Sequence, residues 1–549
     1  VSQIKIGALL NYTTIFLTNV IGILLTPFIL NHLGTAEYGI YLTIGALVGT
    51  ISLLDFGLNN TIVRFVAKYK AQKDTIGQEN FLATAFILYG IISLLDFGLN
   101  NTIVRFVAKY KAQKDTIGQE NFLATAFILY GIISSLIVII GVIFYGYLEA
   151  YFTQMDAQEI EIAKVIFIIF IFNLATGLPG GALTGICYGY ERFVFSKSLN
   201  IIRYILRSIV VVAILSMGGK AIALVIIDSI FNILIIIITG YYVFKTLEIK
   251  IKLHNFSVRF IKEIFGYSTW IFVFALVSLF QWQAGHWVLG HISPPEVLSI
   301  YGIGIVLGTY YGAFSTAISS LFLPRATQMS VANATGEELT SMMIKIGRIS
   351  FIVLMYILIA FVLFGKQFVF LWVGKELGEI GSFQSWMIAV LIMVAYTLPL
   401  VQGFGNSILE AKSKLAFKAI LYLSFMILGT ALGAYLATKH GAIGMIIGSI
   451  TAWIIVQNVM NFYYHHRIGL NILRFFKELL HKTFFALLII IAIGYVIRFI
   501  PGDGWINFVI KAICYTLVFT FTIYHLGCIA FEKELFKKSF GLLWNKIKL

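Results

Sequence analysis

Residues 199–244 read LNIIRYILRSIVVVAILSMGGKAIALVIIDSIFNILIIIITGYYVF. Two apolar runs, 199–217 and 221–244, meet at Gly218-Gly219. Each is about the length that crosses a hydrocarbon layer of about 30 Å as a helix, so the stretch reads as a hairpin of two membrane-spanning helices. The same grammar extends outward in both directions. Further runs near 8–32, 38–58, 121–148, 162–189, 266–290, 297–323, 347–371, 384–408, 418–437, 441–463, 483–500 and 506–530 bring the expected total to fourteen spans. Composition agrees: 59% of the 549 residues are hydrophobic and 12% charged, against about 25% charged in soluble domains. The fold class expected is an all-α polytopic membrane protein.

The 40 Lys plus Arg against 25 Asp plus Glu leave a formal charge of +15. In a membrane protein such a surplus faces the cytoplasm and anionic lipid rather than nucleic acid. The basic breaks hold Arg64, Lys68, Lys70 and Lys73, then Lys245, Lys250, Lys252, Arg259 and Lys262. They continue with Lys412, Lys414 and Lys418, then Arg467, Arg474 and Lys477, and finally Lys533, Lys537 and Lys538. These are assigned to the cytoplasm, which places both termini inside a bacterial inner membrane. The first run is too long for a cleavable signal and is expected to stay in the membrane. Cys187, Cys514 and Cys528 lie in or beside apolar runs and read as structural.

Residues 51–93 and 92–134 are identical at an offset of 41. Structural repeats diverge, so perfect copies mark a recent or an artefactual tandem duplication. A hybrid run near 81–99 carries Asp96, and its crossing would invert every later basic loop, so positive-inside logic argues for a fourteen-span parent with the extra copy looped out or lying along the bundle. An older repeat lies beneath it. Leu178, Pro179 and Glu191 recur as Leu398, Pro399 and Glu410, at offsets of 220 for proline and 219 for glutamate. Tyr41 and Arg64 recur as Tyr301 and Arg325, at 260 and 261, which become 219 and 220 once the 41-residue insertion is removed. The expected organisation is an N-terminal lobe at 1–244, a C-terminal lobe at 245–464 in the same orientation, and an extra helix pair with a basic tail at 465–549. Parallel halves of this kind are one layout of alternating-access transporters, with the binding site between the halves near the midplane.

The stretch LTPFILNHLGTAEYGIYLTIGALVGTISLLDFGLNNTIVRFVAKYKAQKD (25–74) resembles the bacterial polysaccharide-transport flippases of the multidrug/oligosaccharidyl-lipid/polysaccharide exporter superfamily. The Pro-containing fourth span with its TGICYGYERF exit (184–193) and SSLFLPRATQM (319–329) carry the likeness more weakly. The resemblance implies a V-shaped, two-lobed helical bundle that moves an undecaprenyl-pyrophosphate-linked oligosaccharide from the cytoplasmic to the outer leaflet. It further implies two helices beyond a core of twelve, which the runs 483–500 and 506–530 would supply. The exact duplication departs from the family pattern.

A sugar hydroxyl taken into hydrocarbon without a partner costs several kcal/mol, and a pyrophosphate far more. The candidate path therefore needs cations for phosphate, amides for hydroxyls and aromatic faces for sugar rings. Arg203 and Arg207 lie one turn apart on one helix face. Arg203 is near enough to the cytoplasmic end to snorkel, whereas Arg207 is deeper. Asp228 lies about as far past the Gly218-Gly219 turn as Arg207 lies before it, so the two are expected at similar depth. A static ion pair and a substrate- or proton-coupled switch both remain open.

Gln281, Gln283 and His286, with Trp282 and Trp287, and Gln402 with Asn406, are candidate cavity-lining residues, or polar glue between helices. Arg64, its copy Arg105, and Arg325 are candidates for a mouth that collects the anionic headgroup, or plain topology anchors. Gly45-Gly49, Gly185-Gly189, Gly304-Gly308 and Gly444-Gly448 read as close helix packing.

No G-x-x-x-x-G-K-[ST] and no H-E-x-x-H occurs in the sequence, and no cofactor is called for. The expected partners are a lipid-linked oligosaccharide, membrane lipids and a candidate coupling ion. An inside-negative potential assists outward movement of anionic charge by about 2.3 kcal/mol per charge per 100 mV. Two rival functions stand beside the flippase. A cation-coupled multidrug antiporter of the same superfamily calls for an acidic cavity, and a membrane glycosyltransferase or polymerase needs a substantial extramembrane loop, where the expected outer loops are short.

Overall fold

The computed structural model describes residues 2–52, 116–190, 192–251, 273, 276–319, 329, 334–411 and 415–534. Among them there are helices and no strand. In chain order the helices are α1 (Ser2–Ser52), α2 (Thr116–Tyr151), α3 (Ala157–Gly189), α4 (Phe193–Ser216) and α5 (Ala221–Tyr241). They continue as α6 (Ala284–Ile292), α7 (Pro295–Ser319), α8 (Gly336–Val401), α9 (Gly403–Ala411) and α10 (Leu415–Tyr463), and end with α11 (Ile472–Leu480), α12 (Thr483–Ile497) and α13 (Trp505–Thr522). Among the described residues eight stretches are long and apolar enough to cross a membrane, and the bent pair α11–α12 would make a ninth. The chain is an all-α, multi-pass membrane protein.

Three of the long helices are two helices joined at a glycine with positive φ. α1 breaks at Gly34, α8 at Gly378 and α10 at Gly441. Those breaks fall between the runs separated in the sequence at 32–38, 371–384 and 437–441. α8 starts with a complete capping box, in which Thr335 accepts from the Glu338 amide and Glu338 returns a bond to the Thr335 amide, satisfying two otherwise orphaned donors. The hybrid run near 81–99 lies outside the described residues.

The described residues form two compact units: Val1–Gly302 with Leu415–Ser449, and Ile303–Lys414 with Ile450–Leu549. In the first, α3 packs on α1, α2 and α5, and α4 packs on α1. Ile166, Phe167, Ala182, Leu183 and Ile186 bury one side of α3, while α2 turns Ile139, Val142, Ile143 and Phe144 outward. Exposed aliphatics on a span are the face expected to meet lipid. In the second unit α8 receives α11, α12 and α13. Gly304 and Gly308 of α7 let Ile388 and Ile392 of α8 approach so closely that an added Cβ would lie 2.5 and 2.6 Å from their side chains. The small-residue spacing there serves packing.

α11 was not expected from the sequence, which reads residues 467–477 as a basic break. Its Ile472, Phe475 and Leu479 are buried, and Leu473 and Lys477 face out. A nine-residue amphipathic segment is too short and too charged to register as a span.

Candidate functional site

The hairpin α4–α5 turns at Met217–Lys220, where Gly218 has φ +92° and a Cβ on Gly219 would meet the Ile214 carbonyl oxygen at 2.8 Å. Only glycine fits such a turn without strain. The turn sets the register of the two helices, and the register brings Arg207 against Asp228. Arg207 donates from Nε to Oδ1 and from Nη2 to Oδ2, the latter at 3.0 Å. This is the planar fork that guanidinium and carboxylate form best. Each side chain is 20% exposed, and the Tyr41 hydroxyl, brought by α1, lies against both. The pairing anticipated from distance along the chain is present.

Arg203 lies one turn back on the same face of α4. Its Nε is buried and has no hydrogen-bond partner among the described residues. The opposite face carries Ile202, Ile205, Leu206 and Ile209, all exposed. The register that pairs Arg207 with Asp228 sets Arg203 level with Asn232, whose amide donates to the Asn173 carbonyl of α3 at 3.4 Å. The Asn173 side-chain oxygen is buried and unpartnered.

A second polar group gathers at α6. The helix is interrupted at Gln283, whose carbonyl accepts from the amides of His286 and Trp287. His286 is 6% exposed and meets the Tyr301 ring edge-on at 5.0 Å between centroids. The imidazole lies against the Trp282 backbone, and the Trp287 indole N–H and the Thr43 hydroxyl have no partner among the described residues. Tyr151 donates to the Trp287 carbonyl at 2.8 Å, and Thr153 to the His291 carbonyl at 2.7 Å, so the α2–α3 connection holds α6 in place. Gln281 and Gln283 are half-buried.

In the other unit the α8–α9 junction falls on Gln402, 1% exposed. Its amide oxygen accepts from Gln457 and its nitrogen donates to Asn461 at 2.8 Å. Asn406 accepts from the Tyr464 hydroxyl at 2.9 Å. Gln457 and Asn461 near the end of α10, and Tyr464 just past it, follow at spacings of four and three residues, so a polar row zips that helix to the junction. Of the remaining sequence candidates, Arg64, Arg105 and Arg325 lie outside the described residues.

The polar groups that sequence reasoning missed run along α8. Arg348, 1% exposed, donates to Glu532 at 2.6 and 3.1 Å, to the carbonyls of Glu478, Leu479 and His481, and to that of Gly527. Tyr356 pairs with Thr516 and accepts at its carbonyl from Tyr515. Gln367 bridges Asn507 and the buried Lys511. The available signal was a set of polar residues at 348, 356 and 367, separated by close to whole helical turns in an otherwise apolar run.

Residues 76–331, just under half the chain, match the family model described as polysaccharide biosynthesis protein. The matched stretch takes in TGICYGYERF and SSLFLPRATQM, and residues 25–74 lie ahead of it. A search of curated protein sequences gives no match. Among solved structures the chain is similar to the lipid II flippase MurJ in its inward closed conformation, at 17% identity and a TM-score of 0.58, over 88% of this chain and 97% of that one. It is also similar to an inward-facing multidrug resistance MATE family transporter of the MOP superfamily, at 13% identity and a TM-score of 0.52, over 82% and 98%. The resemblance read from the sequence is thus matched by the family model over residues 76–331, and the fold is that of the two MOP-type transporter structures.

Proposed function

We propose that the protein is a flippase that carries an undecaprenyl-pyrophosphate-linked oligosaccharide from the inner to the outer leaflet of the bacterial cytoplasmic membrane by alternating access. It acts as a carrier and not as an enzyme, with both termini cytoplasmic and with lobes at 1–244 and 245–464 followed by the C-terminal pair at 465–549. Residues proposed to line the cargo path or to hold its walls are Arg203, Arg207, Asp228, Gln281, Gln283, His286, Gln402 and Asn406, with Arg64, Arg105 and Arg325 at its mouth.

The observation that carries this reading is the balance of deep charge. Asp228 is the acidic residue in the interior of the described spans, and Arg207 already neutralises it, whereas Arg203 has no carboxylate. An anionic headgroup finds an uncompensated cation, and an organic cation finds no uncompensated acid. A cation-coupled antiporter shares the fold, but that charge pattern disfavours its cargo. The membrane potential supplies an energy source, since about two headgroup charges moved across 100 mV gain near 5 kcal/mol. Thermal stabilisation of the purified protein separates the readings. The flippase is expected to be stabilised by lipid-linked oligosaccharide and not by a lipophilic cationic dye, and the opposite pattern would establish the antiporter.

A further inference from the structure

The two arginines of α4 lie one turn apart on one face, yet their surroundings differ. Arg207 has committed two N–H groups to the two oxygens of Asp228, with the Tyr41 hydroxyl alongside. Taking a phosphate there would first strip a carboxylate of its counter-charge inside a span, a costly exchange in a low-dielectric setting. Arg203 has no such commitment. It makes no ion pair or hydrogen bond among the described residues, and its Nε is shut away from solvent without an acceptor. A buried donor left in that state calls for an explanation, and an absent ligand is one.

The position is also right. The stripe Ser196, Arg203, Arg207 and Val211 is the side of α4 turned away from the exposed row Ile202, Ile205, Leu206 and Ile209. Ser196, 4% exposed, adds a buried hydroxyl beside the Cys187 thiol, two turns nearer the start of the helix. A tetrahedral oxyanion can accept from guanidinium and hydroxyl together, and a planar guanidinium suits phosphate oxygens especially well.

We propose that Arg203, and not the deeper Arg207, is the phosphate-binding cation of this unit, while the Arg207–Asp228–Tyr41 group is a neutral strut that holds α4, α5 and α1 in register. The proposal rests on the anionic-headgroup reading given above, and narrows it to one residue and one chemical class, a pyrophosphate ester. Ser196 assists as a second donor.

The test is binding of polyprenyl pyrophosphate to the full chain in nanodiscs of zwitterionic lipid. Arg203→Gln is expected to weaken binding about tenfold, the effect of losing a charge-assisted hydrogen bond, and Arg203→Lys to recover part of it. The double variant Arg207→Gln/Asp228→Asn is expected to lower the melting temperature and to weaken binding less than Arg203→Gln does. Lys511→Met, which removes a buried intramembrane cation elsewhere, is expected to leave affinity unchanged. Competition distinguishes the source of the phosphate. Inorganic pyrophosphate displaces the ligand in the wild type if the phosphate is what is recognised, and displacement by phosphatidylglycerol at equal concentration would overturn the assignment in favour of a general anionic-lipid contact. Equal binding by Arg203→Gln and wild type, with loss in the Arg207/Asp228 double, would reverse the roles of the two arginines. Failure of the wild type to bind polyprenyl pyrophosphate at all would refute the headgroup reading itself.

Discussion

Replacing Glu532 by Gln keeps the shape of the side chain and removes the one negative charge that faces Arg348. The guanidinium is 1% exposed and the carboxylate 3%, so water cannot take over. In the native protein every face of the guanidinium is used: Glu532 at 2.6 and 3.1 Å, the carbonyls of Glu478, Leu479 and His481 at 2.6, 3.3 and 3.0 Å, and that of Gly527 at 3.0 Å. Glu532 also accepts from the Ile529 amide at 2.9 Å. In Glu532→Gln the carbonyls remain but the cation loses its counter-charge, and breaking a buried pair from one side costs about 3–5 kcal/mol. Removing both charges in Arg348→Met/Glu532→Leu avoids the stranded cation, but leaves three carbonyls at the end of α11 without their donor, and about 1–2 kcal/mol of loss remains. Denaturant unfolding in detergent, followed by tryptophan fluorescence, measures the cycle. A Glu532→Gln variant within about 1 kcal/mol of wild type, or a double variant worse than the single, would refute the reasoning.

Asp228→Asn strands Arg207 in the same way, though both side chains are partly exposed, so a smaller loss of about 1–3 kcal/mol is expected. Adding Arg207→Gln should restore part of it in the same unfolding assay. Gln402→Leu removes the amide that accepts from Gln457 and donates to Asn461; the expected cost in that assay is about 1–2 kcal/mol, and no measurable change would mean the row of amides is not structural. Excising residues 52–92 leaves one uninterrupted copy of the repeated stretch, and the shortened chain is expected to accumulate in the membrane and melt as the full one does. Loss of accumulation would show that both copies are integral to the fold.

Much of the fold was legible because a bilayer constrains it so strongly. Runs of apolar residues had to be spans, and the breaks at Gly34, Gly378 and Gly441 fall where those runs were divided. The hairpin pair was legible too, since Gly218-Gly219 fixes the turn and equal distance along two antiparallel helices means equal depth. The missed contacts share one physical cause. Arg348 and Glu532 are 184 residues apart, and Gln402 meets Asn461 across 59; lateral packing of helices that are not neighbours in the chain leaves no periodic trace. The sequence matches Arg207 to Asp228 by depth but says nothing of what surrounds Arg203. That its Nε is buried without an acceptor among the described residues depends on the packing of neighbouring helices, which leaves no mark in the sequence.

The central claim is that the cargo is a sugar lipid held by its negative charge. It is tested most directly by reconstituting the wild-type protein in vesicles and following the appearance of lipid-linked oligosaccharide on the opposite leaflet with a membrane-impermeant lectin. Two cargoes with the same glycan and tail are compared, one joined by pyrophosphate and one by a neutral linker. The account predicts that the pyrophosphate cargo is flipped at least about tenfold faster, the equivalent of one lost charge-assisted contact, and faster still with a potential that draws anions across. Equal rates for the two cargoes, or no movement of either while a cationic dye is exported, would contradict it.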